Sequence, residues 1–101
     1  MPVPSLTDAL EILRMHQEEL RRMGVSHAAI FGSIARAEGT DSSDVDVLID
    51  LNRDQPIGIF EYARLKHYIG EILGGAADVV NRRTLKPLLK DNILRDAVDA
   101  F

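Results

Sequence analysis

Two short runs separated by a glycine constrain this chain more than anything else in it. Val25 to Phe31 is apolar and β-leaning and stops at Gly32; Asp44 to Asp50 follows with strict alternation. Successive side chains of a strand point to opposite faces, so Asp44, Asp46 and Leu48 share one face while Val45, Val47 and Ile49 share the other. The chain must therefore build a sheet that buries one face and presents carboxylates on the other. Between the runs, Ser33-Ile34-Ala35-Arg36 reads as a short helical piece. The N–H groups at a helix start are unpaired and point outward, which suits a phosphate.

A phosphate cradle beside a rigid carboxylate pair is the equipment of metal-assisted phosphoryl or nucleotidyl transfer. Two divalent ions about 3.5–4 Å apart need carboxylates that reach both. All-oxygen ligands of this kind favour Mg²⁺ over metals that prefer sulfur. An Asp-x-Asp pair alone is also common on a solvated strand face; its placement after Gly32-Ser33 gives it weight. Gly32 leaves room for a ligand to approach the backbone, and Ser33 offers a hydroxyl besides its N–H. Arg36, one turn on, reaches either phosphate oxygens or a neighbouring carboxylate, Glu38 or Asp41.

Gly32-Ser33, ten intervening residues and Asp44-Val45-Asp46 resemble the defining motif of the DNA polymerase β-type nucleotidyltransferase superfamily. Phe31-Gly32-Ser33-Ile34-Ala35-Arg36 and Ser43-Asp44-Val45-Asp46-Val47-Leu48-Ile49 resemble its minimal nucleotidyltransferases (MNT), the antitoxin partners of HEPN-domain toxins. The resemblance implies an α/β (α+β) fold, a polymerase β-like core with a small mixed sheet packed by helices. It implies two Mg²⁺ held by Asp44, Asp46 and a third carboxylate on a neighbouring strand, where Asp78 stands at the matching place. ATP is the implied donor, with Gly32, Ser33 and Arg36 as its nucleotide-binding residues. The implied acceptor is a tyrosine hydroxyl of a HEPN RNase toxin, with an oligomer formed together with that toxin as a further expectation.

The remaining chain fits one domain over residues 1–101. Ser5 or Thr7 is expected to cap a first helix with Leu6, Leu10, Leu13 and Leu20 on one face, ending at Gly24. A second long helix is expected over 57–73, with Ile59, Tyr62, Ala63, Leu65, Lys66 and Ile69 in helical period, stopped by Gly74-Gly75. A strand over 76–81 and a last helix opening at Pro87 follow, with Leu94, Ala97, Val98 and Phe101 at helical spacing. The Phe101 face either completes the core or forms an interface. Glu38 to Ser43 and Asn52 to Gly58 read as loops, and Ser43 as a residue that caps or orients the first of them.

Charge narrows the partners. Twelve basic against sixteen acidic residues leave a net charge of −4, which argues against direct nucleic-acid binding. The absence of cysteine removes disulfides and thiolate metal sites. No signal peptide or membrane-spanning run is visible, so a cytoplasmic location is expected. Glu61, Asp50 and Asp96 are weaker carboxylate candidates, Arg82 and Arg83 are candidate contacts to nucleotide or partner, and His16, His27 and His67 have no spacing for zinc or a triad. Two other functions stay open: a non-catalytic module that neutralises a toxin by covering it, and a nucleotidyltransferase acting on a small molecule or RNA.

Overall fold

The computed structural model describes residues 4–36, 44–75 and 77–101. Glu38, Asp41 and Ser43 lie outside the described residues, as does the expected loop over 38–43. A four-stranded mixed sheet, in the order β3-β2-β1-β4, forms the centre. It is built from β1 (Val25–Phe31), β2 (Val45–Leu51), β3 (Ala77–Asn81) and β4 (Val98–Asp99). β1 runs antiparallel to β2 and β4, and β2 runs parallel to β3.

The alternation in β2 sorts the two faces as expected. Val45, Val47 and Ile49 are buried with Val25, Ala28, Ile30 and Val79 in the main core, closed by α1 (Leu6–Met15), α2 (Gln17–Arg22) and α4 (Ile59–Ile72). Leu48 faces the other way, into a smaller cluster with Ala29 and Phe31 under Ile93 and Leu94 of α5 (Pro87–Asp96) and Ala97 just after it. Each fully buried aliphatic here contributes about 1.5–3 kcal/mol. Among the described residues no helix is long and apolar enough to cross a membrane.

Three expectations are corrected. The first helix divides at His16, whose Nδ1 lies 2.8 Å from the Ile12 carbonyl and so competes with the backbone ladder there; Ser5 is its cap, accepting from Asp8 N–H at 3.2 Å. The second long helix runs Ile59–Ile72, with Gly58 rather than residue 57 at its start, and its buried residues are Leu65, Ile69 and Gly70. The last helix stops at Asp96, and Val98 and Asp99 pair with Ile30 and Ala29. The free edge of β1 has unmet backbone groups, and satisfying them outweighs one more helical turn. Phe101 completes the core, with the Arg21 guanidinium 5.3 Å over its ring.

Candidate active site

Strand register brings the carboxylates together. Asp46 on β2 is the direct partner of Asp78 on parallel β3, so both project from the same face, the one that carries Leu48 and Val80. Asp44 is exposed and immediately precedes β2. Phe31 is the partner of Asp46 across β1, so the turn at Gly32 begins beside the carboxylate. Gly32 has φ +76° and opens the four-residue α3 (Gly32–Ala35), which has no side-chain cap.

Gly32 has a second duty that the sequence did not suggest. A Cβ at this position would collide with Asp46 Oδ2 and stand 2.9 Å from its Cγ. The missing side chain therefore makes the space in which the Asp46 carboxylate sits, as well as permitting the positive φ. The Gly32 turn and the Asp46 carboxylate are one packed unit.

The electrostatics agree with that crowding. Burial, then Asp78, then Asp44 push the Asp46 carboxyl above its ordinary value, with Arg36 pulling against them. Three negative groups sharing a face disfavour the charged form of the most enclosed one. A hard cation relieves that repulsion, so the donor set fits magnesium. Among the described residues no three acid or imidazole side chains already enclose an ion-sized space. Tyr62 of α4, read from the sequence only as a helix-face residue, is raised by burial and by the field of Asp78.

The other candidates are used differently. Arg36 donates to Asp96 Oδ2 at 2.7 Å, which ties the end of α3 to α5. Asp50 pairs with Arg82, Nε to Oδ1 3.0 Å; the Nε–H is not aligned as a hydrogen bond, so charge holds the contact. Glu61 lies in the first turn of α4. His67 meets Glu71 at 2.8 Å on the exposed side of α4.

Comparison with known proteins matches residues 13–100 to the nucleotidyltransferase domain family. "Putative protein adenylyltransferase MJ0435" of Methanocaldococcus jannaschii is 40% identical over 90% of this chain and 96% of its own length. A solved structure called a "putative minimal nucleotidyltransferase" superposes with a TM-score of 0.68 at 34% identity, covering 88% of this chain and 93% of that one. The tri-AMPylated Shewanella oneidensis HEPN toxin in complex with MNT antitoxin gives a TM-score of 0.63 over 91% of this chain and 71% of that one. At 14% identity that last likeness concerns the fold alone.

Proposed function

Because the chain belongs to the nucleotidyltransferase domain family and is an enzyme of that class, we propose that it moves AMP from ATP to a tyrosine hydroxyl of a HEPN-type RNase toxin, acting as its antitoxin. One observation carries the chemical half of this reading: Asp46 and Asp78 are register partners beside Gly32. Asp44, Asp46 and Asp78 would hold two Mg²⁺, and Gly32 and Ser33 would receive the triphosphate on their backbone N–H groups. Bound magnesium supplies charge neutralisation of the triphosphate and acidifies the attacking hydroxyl.

The residues themselves position the reaction. The acceptor oxygen forms a bond to the α-phosphorus, the bond from that phosphorus to the bridging oxygen breaks, and pyrophosphate leaves. The hydroxyl proton passes to Asp78, the most solvent-open of the two paired carboxylates. The fixed strands and the Gly32 turn lower the barrier by holding the groups in line. The partner half of the reading is supported by the minimal-nucleotidyltransferase resemblance and by the toxin complex that shares the fold.

Mass spectrometry tests it. Incubating the protein with ATP, Mg²⁺ and the HEPN protein encoded beside it should add whole AMP units to a tyrosine of that partner and silence its RNase. An Asp44→Asn/Asp46→Asn variant should do neither. Neutralisation that survives in this variant with no added mass would replace transfer by simple covering.

A further inference from the structure

A wide cleft elsewhere on the described residues is not lined by Asp44, Asp46 or Asp78. It has a volume of about 1070 Å³ and opens at the other end of the polar face of β2, around Asp50. Arg53, Arg82, Arg83 and Lys90 line it, against Asp50 as the single carboxylate. Arg82 is engaged by Asp50; no carboxylate pairs with Arg53, Arg83 or Lys90 among the described residues. A chain of net charge −4 thus concentrates cations in one concavity. Such focusing raises the local concentration of an anionic partner.

Exposed apolar residues stand close in sequence to this lining. Ile59 and Phe60 open α4 just beyond Ile57, which lines the wall, and Leu88 and Leu89 open α5 just before Lys90. They are 80%, 81%, 91% and 52% exposed. Large exposed aliphatic and aromatic groups near arginines are the composition of protein interfaces. Nucleic acid rewards phosphate contacts and has no use for exposed leucines beside them.

The geometry points to this cleft as the docking site for an acidic segment of the acceptor protein, flanked by apolar residues that cover Phe60 and Leu88. The proposal rests on the reading that the acceptor is a protein. Asp46 and Asp50 are four residues apart on one face of β2, about 13 Å. The basic end binds the partner and the acidic end modifies it.

Fluorescence anisotropy with a labelled peptide alternating Glu with Leu and Phe, beside a labelled single-stranded RNA of equal charge, tests the site. The peptide should bind the wild type and the Asp46→Asn variant alike, more tightly than the RNA. Arg53→Glu/Arg83→Glu should weaken it at least about 10-fold, and Phe60→Ala/Leu88→Ala should weaken it with unchanged folding by circular dichroism. Preference for RNA, or peptide binding indifferent to both double variants, overturns the proposal. In the transfer assay the charge-reversed variant should raise KM for the partner and leave KM for ATP unchanged. Transfer with an unaltered partner KM overturns docking alone, whereas a wild type that binds the peptide but transfers no AMP overturns the catalytic reading alone.

Discussion

Asp46 and Asp50 occupy the same face of the same strand, yet their surroundings differ in sign. Asp50 is matched by the Arg82 guanidinium at 3.0 Å. Asp46 faces Asp78 across the register and Asp44 before it, with the weaker pull of Arg36 in compensation. A carboxylate that meets a cation from its own chain is spent on structure. One crowded by like charges is held ready for a cation from outside, and the fold bears the repulsion until that cation arrives.

Exchanging the two acids for their amides sharpens this contrast most. Asp46→Asn should lower AMP transfer by about 10²–10³-fold or more, measured as kcat in the mass-shift assay. Its Tm should rise by a few degrees, because the repelling charge is gone. A folded Asp46→Asn protein that keeps most of its rate would erase the distinction between the two ends of β2. Gly32→Ala comes next. Its Cβ has no room beside Asp46 and the φ of +76° is strained for alanine, so thermal unfolding should show a loss of about 1–3 kcal/mol. The companion Gly32→Ala/Asp46→Gly should recover part of that stability and none of the activity; failure to recover it would mean that φ strain alone accounts for the loss.

The acidic end of this contrast was legible in the sequence, whereas of the basic end only Arg82 and Arg83 were candidates, with no sign of the cleft they line. β1 is bracketed by Gly24 and Gly32 and ends in the apolar run Ala28 to Phe31, so its limits follow from local chemistry. The alternation of β2 likewise assigns Asp46 to the polar face. Asp78 needed the family resemblance, because a lone Asp in Ala77-Asp78-Val79-Val80 does not reveal the strand it pairs with. The cleft draws on β1, the β2–α4 connection, the turn after β3 and α5, a gathering that only tertiary structure makes. β4 was hidden for a related reason: Leu94, Ala97, Val98 and Phe101 keep helical spacing, and the demand that turns Val98 and Asp99 into a strand comes from the edge of β1, some seventy residues away.

Titration reads the charge strain on Asp46 directly. The folded protein raises the carboxyl of Asp46 above its unfolded value, through burial first and then Asp78 and Asp44. The folded state therefore binds a proton there more readily than the unfolded chain. Its stabilising effect is complete below the unfolded carboxylate range and is lost as pH rises through the folded value. In EDTA, Tm should fall across that window in the wild type more than in Asp46→Asn. Magnesium should reverse the fall by binding only the ionised site; an identical pH dependence in both proteins would show that Asp46 is not under charge strain.

The smallest effect belongs to Asp50→Asn. Asp50 and Arg82 are partly exposed, with 27% and 37% of their side chains open, so water already screens the pair. Losing it should cost no more than about 1 kcal/mol of unfolding free energy and leave kcat for AMP transfer within about twofold. The released Arg82 adds an unmatched cation to the cleft, so affinity for the acidic peptide should stay level or increase. A fall in kcat comparable with that of Asp46→Asn would place Asp50 in the chemistry and dissolve the division of β2 into a reactive end and a structural one.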